Sequence, residues 1–217
     1  SGRSRRAVME NLSLALPKAS KAELRRVAQA IFRNGALNYY DLLHSTSHIR
    51  ASGDLLAFGQ DNYLQAQKMG LGVIIATAHL GSINLLVKLG ALQSWDALIL
   101  VEELRPKIDN EFLNSRRTAP GMTTKVVGYE GLKAALRCLK NGGTVVIACD
   151  RAIQGTGARV PFMGREALLP VGVIELALRT GAPIVPAFGV RSGAAGAEVY
   201  FEPPILVDGK PKDTFRQ

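Results

Sequence analysis

From Leu71 onward the chain alternates between short β-branched apolar runs and longer stretches whose apolar residues return every three or four positions. The run Leu71-Gly72-Val73-Ile74-Ile75-Ala76-Thr77-Ala78 is bounded by glycine and reads as a buried strand over 72–78. Further strands are expected at 97–101, 144–149, 183–188 and 197–201. Helices are expected between them at 82–93, 107–116, 130–140 and 170–180. The last of these places Pro170 at its first position and Gly181 just past its end, the usual asymmetry of helix termini. Upstream the pattern is helical throughout. Ser20-Lys21-Ala22-Glu23 has the spacing of a capping box, and Leu24, Val27, Ala28, Ile31 and Phe32 fall on one face of a helix running to about His44. A turn region from Ser45 to Gly53 then leads to a weaker helical stretch that ends near Gly70.

Alternating strands and helices after a helical start predict an α/β fold: a mixed, mainly parallel sheet covered by helices, with an N-terminal helical segment. Neither a repeat nor a Pro/Ser linker divides the 217 residues, so one domain is expected over 1–217, with a basic helical segment at 1–70 and an α/β core at 71–217. The chain starts at Ser1 and stops in the polar run Lys210 to Gln217, which leaves both ends open to extension, an upstream membrane anchor included.

Charge changes this picture at one place. The first 33 residues carry eight cations against Glu10 and Glu23, so +6 of the formal net charge of +9 is local to the N-terminal segment. Such a patch is either a solvated helix face or a surface for anionic partners. With only Phe32 and the distant Tyr39-Tyr40 pair among the cations, the aromatic interleaving of an RNA-binding surface is missing. An anionic membrane surface is therefore expected as the partner, and nucleic acid is not. No run reaches the ~18 apolar residues of a membrane span. Cys138 and Cys149 have neither metal-ligand nor disulfide-framework spacing, in keeping with a reducing compartment.

Candidate chemistry collects at the predicted carboxyl ends of strands, where open α/β sheets bind ligands. His79 follows the 72–78 strand. Gly81 permits a close turn, Ser82 is placed to cap the next helix, and Asn84 falls in its first turn. An imidazole beside a helix N-terminus stays neutral, as a general base must, although a structural histidine bonded to backbone fits the same residues. The strand at 144–149 ends in Asp150-Arg151. The segment Gly155 to Arg165 then mixes glycines with Arg159 and Arg165, which suits an anion-binding loop or a solvated one. Gly155 and Gly157 do not complete a dinucleotide fingerprint, because Val160 stands at the third glycine position. Arg105 lies just beyond the 97–101 strand and is placed to reach the same cleft. His44 and His48 lack a third ligand at close spacing, so no metal site is expected. Neither a Gly-x-Ser-x-Gly elbow nor a Walker A loop occurs, and Cys149 suits a small core residue better than a nucleophile.

Taken in order, these segments resemble the bacterial lipid A biosynthesis (lauroyl/myristoyl) acyltransferase family and its phosphatidylinositol mannoside acyltransferase relatives, over nearly the whole chain. Arg6 to Pro17 is similar to the family's basic, Asn-Leu, Pro-containing start. His79-Leu80-Gly81 matches the histidine of its HxxxxD/E motif, Arg105-Pro106 resembles the second motif, and Asp150 the aspartate of the third. Val160-Pro161-Phe162-Met163-Gly164 resembles its Val-Pro-Phe-x-Gly loop, and Leu169 to Phe188 continues the match. The resemblance implies a glycerolipid acyltransferase-like fold that needs no cofactor. It also implies transfer of an acyl chain from an acyl carrier protein or coenzyme A thioester to a hydroxyl of a membrane glycolipid or lysophospholipid. The site would lie on the cytoplasmic face of the inner or plasma membrane. His79 would be the base, with Asn84, Arg105 and Asp150 as its catalytic partners, and Gly81, Ser82, Arg151, Arg159, Gly164 and Arg165 as candidate substrate contacts. The motif is altered at Asn84, an amide where a carboxylate is expected, so either Glu102, Glu103 or Asp150 orients the imidazole in its place, or the enzyme is slow, or the lipid cleft is kept without chemistry. A silent lipid-binding homologue and a thioesterase are the competing readings.

Overall fold

The computed structural model describes residues 2–43, 55–103, 112–116, 120–152, 155, 157–192 and 196–209. Two helices open it, α1 (Gly2–Ala15) and α2 (Lys21–Leu43), and they pack against each other. The capping box forms as the sequence predicts: the Ser20 N–H donates to Glu23 Oε2 at 2.7 Å, and the Glu23 N–H donates back to Ser20 Oγ at 3.3 Å. The Glu23 carboxyl is held below its ordinary range by the Ser20 N–H and by the Ser20 hydroxyl, which donates to the same Oε2 at 2.8 Å.

After α2 come β1 (Leu55–Phe58), α3 (Gln60–Lys68), β2 (Val73–Thr77), α4 (Ile83–Leu92), β3 (Ala97–Val101), β4 (Met122–Val126), α5 (Tyr129–Lys140) and β5 (Thr144–Ala148). The hairpin β6 (Ala158–Phe162) and β7 (Arg165–Leu169), helix α6 (Gly172–Thr180), β8 (Ile184–Ser192) and β9 (Gly196–Phe201) complete the order. The five predicted strands are all present. Four short strands have no counterpart in the sequence reading: β6 and most of β7 form where a glycine-rich loop and the approach to a helix are expected, β1 shows only a four-residue alternation, and β4 is half polar. β1 also replaces part of the weak helical stretch expected before Gly70. The predicted turn at 45–53 lies outside the described residues, as does the first half of the helix expected at 107–116, whose residues 112–115 are helical.

Seven strands form one sheet in the order β1-β9-β8-β2-β5-β3-β4, and every pair except β8/β9 is parallel. The mainly parallel sheet expected from the sequence is the sheet observed. β2 lies in its interior and is buried at all five positions, which explains its unbroken apolar run. Val73 and Ile75 face a core completed by Tyr63 of α3, Leu86 and Leu89 of α4, and Trp95. Ile74 and Ala76 face the opposite core, against Leu139 of α5 and Leu176 of α6.

The chain runs from β2 through α4 to β3, yet β2 and β3 are not neighbours. β5 enters later and fills the slot between them. Its register on β2 pairs Thr77 with Ala148, so the residues that follow these two strands emerge side by side.

Tyr63 ties one of the two cores together. Its ring stacks on Trp95 at 4.5 Å between centroids, and its hydroxyl shares a 2.9 Å hydrogen bond with buried Thr144 Oγ1 while accepting from Gln67 at 2.8 Å. Tyr63→Phe keeps the ring and removes the hydroxyl, leaving Thr144 short of a partner. The expected cost is about 1–2 kcal/mol of unfolding free energy, read by urea denaturation as a lower midpoint at unchanged m.

Candidate active site

His79 and Asp150 lie 71 positions apart in sequence and meet because β2 and β5 are parallel neighbours in register. Each lies two residues beyond the Thr77–Ala148 pair, and the Cys149 N–H continues the ladder by donating to the Thr77 carbonyl at 2.9 Å. Asp150 accepts twice from the same residue. The His79 ring lies with Nδ1 at 2.9 Å from Oδ1, and the His79 backbone N–H donates to Oδ2 at 3.1 Å. An ionised carboxylate can only accept, so the imidazole proton belongs on Nδ1 and the lone pair on Nε2. The side chains are 50% and 33% exposed, so the ring's free edge is open to an incoming molecule.

Desolvation raises the Asp150 pKa, but the bonds from the His79 ring and backbone outweigh it and hold the carboxyl below the usual aspartate range. Because the folded value is depressed, the stability this pair contributes is fully present above the unfolded value of about 3.9, and it is lost as pH falls through the lower folded value. Asp150→Asn should therefore flatten the acid limb of unfolding stability below about pH 5, where the unfolded carboxylate begins to protonate. Urea denaturation at several pH values checks this, with the native protein losing stability more steeply on acidification.

Asn84 is placed elsewhere. It lies on the buried face of α4 toward α2, where its Nδ2 donates to the Asn38 carbonyl at 2.9 Å, and its Oδ1 has no partner among the described residues. The orienting contact expected of a residue at this motif position is made by Asp150. Of the alternative carboxylates, Glu102 is engaged with Arg151 Nη1 at 3.2 Å, and Glu103 is exposed.

Gly81 and the Ser82 side chain are engaged within the fold. Gly81 has φ +65°, and a Cβ there would come within 2.1 Å of the Gly189 carbonyl oxygen, so its missing side chain serves close packing against β8. Ser82 does occupy the N-cap position of α4, but its hydroxyl does not cap. It is fully buried and donates to Asp41 Oδ2 at 2.8 Å, while the Ser82 N–H donates to the Gly189 carbonyl at 2.6 Å.

The predicted anion loop is a β-hairpin in its second half, with a two-residue turn at Met163 and Gly164, φ +49° and +75°. Arg159 pairs across the ribbon with Leu168, and Arg165 with Phe162. Successive residues of a strand alternate faces, so the two arginines stand on opposite faces of the hairpin and do not close on one anion. Both are exposed, and Gly164 serves the turn. Arg151 lies beside the pair at the same sheet edge, held by Glu102. Arg105, His44 and His48 lie outside the described residues. Among the described residues no group of three metal-ligating side chains occurs. Cys149 is half-buried, donates its thiol to the Thr77 carbonyl and has its pKa raised by desolvation, which suits a packing residue.

Beside the pair lies an apolar cavity of about 370 Å³. Ala78 and Cys149, the residues immediately before His79 and Asp150, form its near wall, and Val173, Ile174, Pro186 and Phe188 extend it. The sequence reading did not find this cavity. It also missed Asn38, Asp41 and Arg191, which surround the 81–84 turn. The only trace of this cluster in the sequence is a carboxylate within an otherwise apolar helix end, Tyr39-Tyr40-Asp41-Leu42-Leu43.

A histidine–aspartate pair of this geometry at the carboxyl edge of a mainly parallel sheet, next to an apolar cavity, has the chemistry to take up a proton beside an apolar group. The chain belongs to the bacterial lipid A biosynthesis acyltransferase family, whose model matches residues 1–214. It is 25% identical over 186 residues to the phosphatidylinositol mannoside acyltransferases of two Mycobacterium tuberculosis strains, CDC 1551 / Oshkosh and H37Rv. That alignment covers 84% of this chain and 57% of each relative.

Proposed function

We propose that this chain carries the catalytic centre of an O-acyltransferase that moves a fatty acyl group from a thioester to a hydroxyl of a membrane glycolipid or lysophospholipid. The observation that supports this most is the His79–Asp150 pair, with Nε2 unengaged among the described residues at the open edge of the sheet. Nε2 takes the proton of the acceptor hydroxyl as its oxygen attacks the thioester carbonyl. Asp150 holds the ring in the required tautomer and stabilises the imidazolium that forms. Collapse of the tetrahedral intermediate expels the thiolate, which recovers the proton from the imidazolium and leaves as the thiol. The acyl chain lies in the apolar cavity behind Ala78 and Cys149, so that its carbonyl end reaches His79.

The donor is an acyl carrier protein or coenzyme A thioester. An acidic donor is drawn by the chain's +9 net charge. No helix among the described residues is long and apolar enough to cross a membrane. Seating on the cytoplasmic face of the inner or plasma membrane is assigned to α1 and α2, which expose Leu14, Ile31, Phe32 and Tyr39 among their many cations. Between these helices a cavity of about 290 Å³ is lined by Arg5, Arg25, Met9, Ala28 and Phe32, cationic and apolar together, as an anionic lipid requires.

Three variants test the chemistry in the intact protein, with a thioester donor and a lipid acceptor. His79→Ala should abolish transfer. Asp150→Asn should lower kcat by roughly 10²–10⁴, the range for losing a positioned base or its correct tautomer. Asn84→Asp should not raise kcat, because the imidazole already has its carboxylate. Full activity in His79→Ala would sink the mechanism. Thioester consumption without acceptor acylation would make the protein a thioesterase, and glycolipid binding without thioester consumption would make it a silent homologue. The surface assignment is tested separately by vesicle sedimentation: Arg5→Glu and Arg25→Glu should each weaken binding to anionic vesicles several-fold, at about 1 kcal/mol per cation, and binding should fall with added salt.

A further inference from the structure

A polar cluster lies on the α2 side of the turn that follows His79, outside the reacting pair and the apolar cavity. Asn38 and Asp41 are three residues apart on α2 and so share one face of the helix. That face meets the start of α4. Asp41 Oδ2 accepts from the buried Ser82 hydroxyl at 2.8 Å and also pairs with Arg191 Nη2 of β8. The same Nη2 donates to Asn38 Oδ1 at 3.2 Å, and the Asn38 backbone carbonyl accepts from Asn84 Nδ2 at 2.9 Å. β8 closes the ring from below: two residues before Arg191, the Gly189 carbonyl takes the Ser82 N–H at 2.6 Å. The turn is therefore gripped at Ser82 and Asn84 by side chains and backbone from two elements that follow neither β2 nor β5.

Charge makes Asp41 the centre of this grip. Its side chain is 14% exposed and that of Arg191 is 20% exposed, so the pair is largely withdrawn from solvent. Lys88, one helical turn after Asn84 and also buried, has its pKa lowered by desolvation, and Asp41 opposes that shift. Asp41 thus meets Arg191 directly and acts favourably on the charge of Lys88 at the junction of α2, α4 and β8.

We propose that Asp41 is a positioning residue for the reaction: through Ser82 and Arg191 it fixes the 79–84 turn, and with it the imidazole, against Asp150. This rests on the reading of His79 as the base. Between the two anchors lies Gly81, whose left-handed backbone gives the turn a pivot. Asp150 holds His79 from one side and the α2 clasp holds Ser82 from the other. Release of the clasp lets the ring drift from its productive geometry while the sheet below stays paired. No residue of the clasp lines the apolar cavity, so donor binding is left as it was.

The test combines kinetics with amide hydrogen exchange on the intact protein. Asp41→Asn should lower kcat about tenfold or more with donor KM within about twofold, and Asp41→Glu should recover most of the loss. In the same variant the His79 and Ser82 amides should exchange about tenfold faster while those of Ile74 and Ile75 keep the native rate. Ser82→Ala removes one bond of the clasp without changing charge, and should speed exchange at the same two amides even where Asp41→Asn folds poorly. Unchanged kcat in folded Asp41→Asn, native exchange at His79 and Ser82, or equal acceleration at Ile74 and Ile75 would each overturn the proposal. Exchange needs no substrate, so it decides the clasp independently of the base: if His79→Ala stays active, the base reading falls while the exchange result still stands.

Discussion

The parallel pairing of β2 with β5 is the constraint on which the site depends. Register in a sheet has a period of two residues, and a slip by one would turn every side chain to the other face. Here the slip is prevented by burial on both sides, since Val73 and Ile75 belong to one core and Ile74 and Ala76 to the other. With Thr77 opposite Ala148, the two strands end level, and His79 and Asp150 leave the sheet side by side. Two hydrogen bonds from His79 to Asp150 then join them. They convert the placement into a defined tautomer with Nε2 unengaged among the described residues.

Around this edge the molecule divides its labour by layer. The α6 side of the sheet offers an apolar cavity that begins at Ala78 and Cys149, immediately behind the pair. The α4 side offers polar anchoring: Ser82 and Asn84 point away from the cavity into the contact with α2, and Asp41 and Arg191 meet them there. The apolar cavity on one face and a network of fixed polar groups on the other leave the ring edge between them open. Buried polar groups of this kind are costly unless they are paired. Nearly all of this cluster is paired. Asn84 Oδ1 is the exception, left without a partner among the described residues.

α2 links two tasks that the sequence presents separately. One face of the helix touches the turn that follows His79, through Asn38 and Asp41. Elsewhere it exposes Ile31, Phe32 and Tyr39, with Arg25, Arg26 and Arg33 among them. A surface that engages this helix acts on a body that also holds the proposed catalytic turn. Burial of Leu24, Ala28 and Leu42 keeps that body attached to the rest of the protein.

How much of this was legible in the sequence follows from the range over which each signal acts. Local patterns carried the elements well: the apolar run at 73–77, the reciprocal Ser20 and Glu23 cap, and the left-handed stop at Gly181 are decided by residues within a turn or a strand of one another. They carried His79 to the end of a strand and Asp150 to the end of another, and the order of motifs carried the family. Short or half-polar strands such as β1 and β4 were missed, because their stability comes from neighbours in the sheet and leaves little periodicity of its own. The partner of the imidazole was a matter of topology. Asn84 is five residues from His79 and faces away from it on a helix, whereas Asp150 is brought beside it only because β5 inserts between β2 and β3. Arg159 and Arg165 look like one anion site in the sequence, and alternation across the hairpin separates them. Sequence by itself determined which residues can do chemistry and which elements carry them. Which of them meet was decided by tertiary structure, because strand order and register are set by burial across the whole core and by no single stretch of chain.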